Sequence, residues 1–348
     1  MREPPAIDKP QHGLHKVHLS PTARKRDWGV ERLFRGSLFL SAFLHAVGTA
    51  TPTHDVHPVF LDWARAQLAG GRGEALFERM AARSGIDHRW SVLPKDRTPI
   101  EPGGFYAPDA WPGTAARMRL YAEHAPELAL AAIADLSART PLHGITHLVV
   151  ASCTGFVAPG VDQIIARRLG LTASTERLLI GFMGCYAAIA ALRSARHIVR
   201  SDPAARVLVV TVELSTLHLQ QTDNLEAILA MLQFGDGAAA GLVSADPGGF
   251  ALGQPFATTL PDSHELIRWA ITDHGFAMHL SGEVPARIAG ALAERAFADV
   301  ATGGDGPGAI DGWAVHAGGR SILDAVEHGL DLVPDALAAS RAVLARNG

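Results

Sequence analysis

Cys185 is the side chain whose setting in this sequence most strongly indicates covalent chemistry. An apolar run at residues 177–184 predicts a buried strand ending in Gly184, and a helix is predicted to begin at Cys185. At a helix start, unpaired N–H groups and the helix dipole stabilise a thiolate, and those N–H groups can hold an oxyanion. Gly184 has no side chain, which lets an acyl group approach the backbone. The pattern therefore favours a nucleophile over a buried cysteine that only packs.

His316 is the candidate proton partner of that thiol. Residues 310–316 predict a strand with His316 at its end, followed by two glycines and a predicted helix at residues 320–329. Catalytic groups gather at the carboxyl ends of strands in layered sheets. An imidazole beside the thiol would form an ion pair with the thiolate and donate a hydrogen bond to a thioester enolate. A helix-capping or core histidine is the alternative, and the residues alone leave both open.

Cys153 is the other cysteine of the chain, and it lies at the end of a predicted buried strand at residues 147–155. Two cysteines exclude a disulfide framework and a thiolate metal cluster, and their spacing is not that of metal ligands. We therefore expect no metal site. We interpret Cys153 as a core thiol near the candidate site, with lining of the same cavity as the other possibility.

The elements that must position these groups alternate along the middle of the chain. Short apolar runs with small residues at their ends predict strands buried on both faces, and alanine-rich stripes predict the helices between them. This alternation indicates a layered α/β fold with helices on both faces of the sheet. The predicted elements cover residues 147–155, 161–169, 177–184, 185–200, 206–213 and 238–243.

The flanking segments complete the predicted organisation. A second half begins near residue 250 and ends in a helix that starts near Pro334, with no closing strands after it. We predict a disordered basic arm at 1–36, a first layered half at 37–245 and an incomplete second half at 246–348. The remaining predicted elements are a strand within 37–50, helices within 56–90, a loop at 94–113 and helices at 114–139 and 285–300.

Composition excludes several classes of protein. Hydrophobic residues make up 48% and charged residues 19%, which excludes wholesale disorder. The net charge of −4, with both signs mixed, indicates neither a nucleic-acid nor an anionic-membrane partner. Residues 37–50 are apolar after a basic stretch, as in a secretory signal, but the long charged lead and His45 favour a buried strand. We therefore expect a cytoplasmic protein.

Four segments together resemble the type III polyketide synthases, the chalcone and stilbene synthase family, in order and spacing over residues 38–348. Residues 212–220, VELSTLHLQ, are similar to the bacterial branch, which includes alkylresorcinol and alkylpyrone synthases. The resemblance implies a thiolase-like, duplicated α-β-α-β-α fold with an incomplete second half. The four segments are ASCTGFVAPGVD (151–162), GFMGCYAA (181–188), FGDGAAA (234–240) and HAGGRSILD (316–324).

The resemblance also implies a reaction. Cys185 would take an acyl starter from coenzyme A, and His316 would assist decarboxylation of malonyl-coenzyme A. The resulting carbanion would attack the bound acyl group, and the extended chain would cyclise, giving an alkylresorcinol or alkylpyrone type of product. Loss of CO₂ drives the bond formation, so no cofactor is expected beyond the coenzyme A substrates. The family also implies a homodimer.

Further site residues follow from the resemblance. Phe234 and Met278 fall at gating positions between the coenzyme A tunnel and the cavity, and Arg79 and Arg83 fall near positions that contact coenzyme A phosphates. A solvated helix face is the alternative for the two arginines. Ala158 falls where the family extends a side chain across the dimer interface. The expected cavity lining is Cys153, Thr154, Ser215 and His218.

One departure from the family concerns its catalytic asparagine, which aligns one position beyond Gly348. The two asparagines of the chain, Asn224 and Asn347, match nothing catalytic. Losing one preorganised donor to a thioester oxygen typically costs about 100- to 1,000-fold in rate. The chain is then either a C-terminally truncated piece of an active synthase or a degenerate homologue, and malonyl decarboxylation by this chain should be severely impaired.

Two other functions remain open at this point. A ketoacyl-ACP synthase III-like condensing enzyme would share the fold and the catalytic logic but prefer acyl-carrier protein. A non-catalytic subunit that pairs with a full-length synthase is the alternative from a different class. A serine hydrolase is weaker, because no Gly-x-Ser-x-Gly motif occurs.

Overall fold

The computed structural model describes residues 41–95 and 99–348. The predicted basic arm at 1–36 and the start of the first predicted strand lie outside these residues. The strands are β1 Phe43–Ala50, β2 His54–Asp55, β3 Trp90–Ser91, β4 His147–Ser152, β5 Glu176–Gly181, β6 Val207–Leu214, β7 Asp236–Ser244, β8 Phe250–Ala251, β9 Ile267–Thr272 and β10 Gly275–Leu280. The helices are α1 His57–Leu68, α2 Glu74–Ala82, α3 Thr114–Ser137, α4 Val161–Arg168, α5 Ala187–Ser201, α6 Leu225–Met231, α7 Val284–Leu292, α8 Arg295–Ala301, α9 Arg320–Gly329 and α10 Ala338–Asn347.

Six strands form the main sheet in the order β5-β4-β6-β7-β1-β8. β4 lies parallel to both β5 and β6, while β7 runs antiparallel to β6 and β1. Ser152 of β4 is opposite Gly181 of β5, so the carboxyl ends of these two strands are adjacent. The topology therefore places the segment after β4, which carries Cys153, beside the turn after β5, which carries Cys185.

The sheet has a core on each face because the central stretches of its inner strands carry apolar side chains at successive positions. Val150 packs in the cluster that contains α3, and its neighbour Val149 packs in the cluster that contains α5. Burying one such side chain contributes about 1.5–3 kcal/mol. Gly48 of β1 allows α3 to approach closely, since a Cβ there would lie 2.2 Å from the Leu136 nitrogen. This two-sided packing confirms the predicted layered α/β arrangement.

The second half differs from its prediction in three places. The predicted strand at 310–316 is irregular, and among the described residues it pairs with no neighbouring strand; Val315 N–H instead donates to Ser340 Oγ. A strand needs a ladder partner for its backbone groups, and apolar content alone does not supply one. The predicted helix at 285–300 is divided into α7 and α8. The β9–β10 hairpin was not predicted.

The helices of the second half pack on one another and on residues from the first. Leu323 and Val326 of α9 meet Leu344 of α10 and Ile86, which follows α2.

Within residues 41–95 and 99–348, no helix is both long and apolar enough to cross a bilayer.

Candidate functional site

The chain reaches Cys185 through a tight turn between β5 and α5. Phe182 and Gly184 have φ values of 54° and 61°, in the left-handed region. Cys185 then lies in a short 3₁₀ helix, Gly184–Tyr186, and the α-helix proper begins at Ala187. A Cβ at Gly184 would meet no atom within 4 Å, so the space beside the thiol is open. The structure confirms the predicted order of strand, turn and helix and leaves Cys185 exposed. The strand itself was predicted to be buried, but β5 ends at Gly181 and is mostly exposed, because it lies at the edge of the sheet.

The resting thiol of Cys185 is protonated rather than ionised. Desolvation by the surrounding protein and then the Glu213 carboxylate raise its pKa, and its own backbone N–H only partly opposes them. The sequence led us to expect that the helix amides would favour the thiolate. The structure points the other way, because desolvation first and the Glu213 carboxylate second outweigh the backbone N–H and raise the pKa of the thiol. A nucleophilic role for Cys185 therefore requires a base to take its proton.

Glu213, near the end of β6, is the site residue that the sequence analysis missed. Its carboxylate accepts hydrogen bonds from the N–H groups of Cys153 and Thr154, each at 2.9 Å, and from Thr154 Oγ1 at 2.6 Å. The thiol of Cys153 donates to it at 3.2 Å. The pKa of Glu213 is raised overall, because desolvation outweighs these donors, which lower it. An acidic residue inside an apolar strand pattern was the signal that could have identified it.

His218 is a neutral wall residue and not an acid–base group. Phe276 N–H donates to its Nδ1 at 3.0 Å, which leaves the proton on Nε2 to be donated to the Thr154 carbonyl oxygen at 2.6 Å. The imidazole also stacks on the Phe276 ring at 4.4 Å. Burial lowers its pKa to about 4. Its two backbone partners hold the ring between the segment after β4 and strand β10.

His316 lies on the irregular segment before α9 at an exposed position. Desolvation lowers its pKa, so its imidazole is neutral at neutral pH. Among the described residues no hydrogen bond joins His316 to Cys185, and neither residue is a cause of the other's pKa shift. Pairing of the two side chains in catalysis therefore stays a prediction.

A cavity lies next to this network, and His218 is one of the residues that line it. The cavity and its mouth hold about 800 Å³ of space free of protein atoms. The predicted gating residues Phe234 and Met278 line it, as do Ser215 and His218, but Cys185 and His316 do not. Cys153 and Thr154 also differ from their predicted lining role, because both are buried and bonded to Glu213. Most other lining residues are apolar or aromatic: Val56, Val59, Phe60, Trp63, Leu93, Pro99, Ile100, Tyr106, Leu219, Ala227, Ala230, Met231, Trp269 and Phe276.

The two predicted phosphate-binding arginines lie on and after α2. Arg79 and Arg83 are both exposed, and Arg83 lines a second surface cavity together with Arg320 and Gln233. A Cβ at Gly319 would lie 2.9 Å from Gln233 Oε1, so this cavity borders the segment that carries His316. Arg79 does not line it. Within the described part of the chain, no group of three or more His, Cys, Asp or Glu residues is placed to hold a metal ion.

Two family models match the chain in succession. The model for chalcone and stilbene synthases, N-terminal domain, covers residues 39–247, and the model for the C-terminal domain covers residues 252–348. Together they span most of the described residues, including Cys185, Phe234, Met278 and His316.

Individual relatives are similar at about one third identity. A bisdemethoxycurcumin synthase of Oryza sativa subsp. japonica is 34% identical over 321 residues, which cover 87% of this chain and 79% of that protein. The alpha-pyrone synthesis polyketide synthase-like Pks18 of Mycobacterium tuberculosis is 35% identical over 243 residues. That second alignment covers 67% of this chain and 61% of Pks18.

Two solved structures share the fold. The 1,3,6,8-tetrahydroxynaphthalene synthase of Streptomyces coelicolor A3(2), a bacterial type III polyketide synthase, superposes with a TM-score of 0.79 at 27% identity, covering 88% of this chain and 86% of that one. PKS-I of the brown alga Ectocarpus siliculosus gives a TM-score of 0.77 at 29% identity, covering 90% and 86%.

Proposed function

The chain belongs to the chalcone and stilbene synthase family of type III polyketide synthases, and on this basis we propose that Cys185 accepts an apolar acyl chain from a coenzyme A thioester for extension by malonyl units. The observation that carries the proposal is the apolar cavity lined by Phe234, Met278 and Phe276, because the Phe276 ring lies 6.0 Å from the Phe182 ring in the turn that leads to Cys185. Apolar walls favour an alkyl starter, because they gain from the burial of its CH₂ groups. The product would then be of the alkylpyrone or alkylresorcinol type, formed in the cytoplasm.

The loading step needs a base because the resting thiol is protonated. Neutral His316 takes the Cys185 proton, and the thiolate attacks the acyl carbonyl carbon. The coenzyme A sulfur leaves as the new thioester forms, and the imidazolium returns its proton to that sulfur. The N–H groups at the start of the short helix and α5 are the donors proposed for the tetrahedral oxyanion.

Extension follows from decarboxylation. Malonyl-coenzyme A loses CO₂, the enolate carbon attacks the acyl group on Cys185, and the Cys185 sulfur leaves with the electron pair. His316 donates a hydrogen bond to the enolate oxygen, which reduces its negative charge. The exposed Arg83 and Arg320 beside the His316 segment supply positive charge for coenzyme A phosphates.

Neither asparagine of the chain is bonded to this machinery. Asn224 caps α6, where its side chain accepts from the Ala227 N–H, and Asn347 donates to the Val343 carbonyl oxygen.

Mass spectrometry of the intact protein tests the loading proposal. The chain is incubated with dodecanoyl-coenzyme A, and the acyl adduct is expected on wild-type protein and on Cys153→Ser, but not on Cys185→Ala. Malonyl-coenzyme A is then added, and the release of CO₂ is followed. Absence of an adduct from the wild type, or an adduct that persists in Cys185→Ala, would overturn the assignment.

We also propose that a second copy of the chain covers the surface around the nucleophile. β5 is an edge strand, and Leu178 and Leu179 on it are exposed, as are Phe182 and Met183 in the turn that follows. Contiguous apolar surface on an edge strand is typical of an interface between subunits. Light scattering should give about twice the 36.8 kDa chain mass, and Leu179→Glu should reduce it toward one chain. Val333→Glu, at an exposed valine elsewhere, is the control and should not change the mass.

A further inference from the structure

Two buried arginines, Arg89 and Arg117, bind backbone carbonyl oxygens beside the candidate cavity. Their side chains are 3% and 0% exposed, and within residues 41–95 and 99–348 neither forms an ion pair. Burial lowers the pKa of Arg89, and the nearby carboxylates of Asp236 and Asp55 partly oppose this shift. A buried guanidinium costs free energy unless its N–H groups are bonded. Both donate mainly to backbone carbonyl oxygens, and most of these carbonyls belong to segments that line the acyl cavity. Among the described residues, Nη2 of Arg117 has no hydrogen-bond partner.

Arg117, on α3, holds the segment that carries His218. Its Nη1 donates to the carbonyl oxygens of Leu217 and Leu219, both at 2.8 Å, which are the residues on either side of His218. The guanidinium carbon lies 5.1 Å from the centre of the Tyr106 ring, and Tyr106 Oη donates to the Thr216 carbonyl oxygen at 2.7 Å. One wall of the cavity is therefore fixed at three backbone positions within four residues, 216, 217 and 219.

Arg89, just before β3, holds the segment that carries Phe234. Its Nη1 donates to the carbonyl oxygens of Met231 at 2.6 Å and Phe234 at 3.2 Å, and its Nε donates to His57 Nδ1 at 3.1 Å. The guanidinium carbon lies 4.3 Å from the centre of the Phe60 ring. Met231, Phe234 and Phe60 all line the cavity, so a single side chain orients three parts of its wall.

Asp236 links the two arginine-held segments to each other. It lies two residues after Phe234, and its carboxylate accepts from Thr216 N–H at 2.8 Å and from Thr216 Oγ1 at 2.7 Å. The Val92 N–H, just after β3, donates to the same carboxylate at 2.9 Å. The spacing between the Phe234 and His218 segments is thus set by directional hydrogen bonds and not by apolar packing alone.

We propose that Arg89 and Arg117 are positioning residues of the acyl cavity, which fix the Phe234 and His218 segments and thereby set the length of acyl chain that the cavity accepts. The inference rests on the proposed function in taking an acyl chain as the occupant. A planar guanidinium binds two carbonyl oxygens in one fixed geometry, which an ammonium group or a thioether does not reproduce. Loss of that geometry releases the wall and weakens discrimination between long and short chains.

The test compares two chain lengths in each variant. Dissociation constants for dodecanoate and hexanoate are measured by calorimetry, and kcat and KM for Cys185 acylation are measured with the two coenzyme A thioesters. In Arg89→Met and Arg117→Met we expect the preference for the long chain to fall about tenfold, mainly through KM. Arg89→Lys, which keeps the charge and some donors, should recover part of the preference.

Arg196→Met is the matched control. Arg196 is also a buried arginine, and its Nε donates to the Leu252 carbonyl oxygen at 3.0 Å, about three helical turns along α5 from Cys185. It should lower the melting temperature but leave the chain-length preference unchanged. An unchanged preference in both Arg89→Met and Arg117→Met, or an equal loss in Arg196→Met, would overturn the proposal. If the methionine variants do not fold, Arg89→Lys and Arg117→Lys decide it by the same ratio.

The binding measurement separates this proposal from the proposed function. One outcome is that the wild type binds dodecanoate more tightly than Arg89→Met does but is not acylated. This result would contradict the proposed function and support the positioning role. Wild-type protein that is acylated but shows no chain-length preference in binding or in KM would contradict the positioning role alone. Wild-type protein that binds neither dodecanoate nor hexanoate would also contradict the positioning role.

Discussion

The ends of two adjacent parallel strands carry the two thiols of this protein in opposite settings. After β4, Cys153 is buried and its thiol and N–H are bonded to Glu213. After β5, Cys185 is exposed on a turn with two left-handed residues and open space beside it. Desolvation, followed by the charge of the Glu213 carboxylate, raises the pKa of each thiol. Access and freedom from bonded partners, rather than a lowered pKa, therefore distinguish the candidate nucleophile.

Loss of the proposed base, His316, should have the largest effect on the reactivity of Cys185. His316→Gln removes the group that accepts the Cys185 proton, and we expect Cys185 acylation to slow by about 100- to 10,000-fold. Rapid-quench mass spectrometry measures the rate. His328→Gln, at another histidine of the second half, is the control and should acylate at the wild-type rate. A loss below about threefold in His316→Gln would show that another group takes the proton.

Alkylation compares the two strand ends directly. Under native conditions iodoacetamide should modify Cys185 at least about 100-fold faster than Cys153, because Cys153 is buried and its pKa is raised further from the usual range. Peptide mapping after timed quenching gives both rates. The difference should disappear in denaturant. Equal native rates would mean that the segment after β4 opens readily and that the contrast between the two ends does not hold in solution.

The protein should lose stability in acid, because the hydrogen-bonded His218 is neutral in the folded state. His218 has a pKa of about 4 in the folded protein and an ordinary value when unfolded, so the unfolded chain binds more protons between those values. The free energy of unfolding should fall by up to about 3 kcal/mol as pH drops from about 6.5 to 4. His57, with a pKa also near 4, adds a similar contribution. Urea unfolding at several pH values in this range measures the effect. The free energy of unfolding of His218→Gln should depend less steeply on pH than that of the wild type, and an equal dependence would contradict the assignment of His218 as a neutral residue.

Removal of the shared carboxylate should change reactivity by a smaller factor. Glu213→Gln eliminates the negative charge that raises the pKa of Cys185, so the thiolate fraction near pH 7.5 should rise. We expect alkylation of Cys185 to accelerate by about three- to tenfold, with its pH profile displaced to lower pH. Glu176→Gln, at the exposed start of β5, is the matched control. A profile displaced to higher pH would exclude repulsion by Glu213 as the cause.

Much of the first half could be predicted from the sequence because its local and tertiary signals agree. The runs at 147–155, 177–184 and 206–213 are apolar at successive positions, and they form β4, β5 and β6 within a few residues. The tight turn at Gly184 and the helix after Cys185 were likewise predicted. In the second half, residues 310–316 carry apolar side chains at 310 and 313–315 but form no strand, since a strand requires a partner that local composition does not specify.

The sequence by itself determined which residues are chemically capable and in which elements they lie: a cysteine after a strand, a histidine before a helix, and aromatic or thioether side chains at the cavity positions. The tertiary structure alone decided how those groups are charged and held. Glu213 opposes ionisation of Cys185, His218 is fixed as a neutral ring, and Arg89 and Arg117 bind the cavity wall. The reason is that pKa values and wall positions depend on contacts within a few ångströms between residues far apart in the chain, and no local pattern records those contacts.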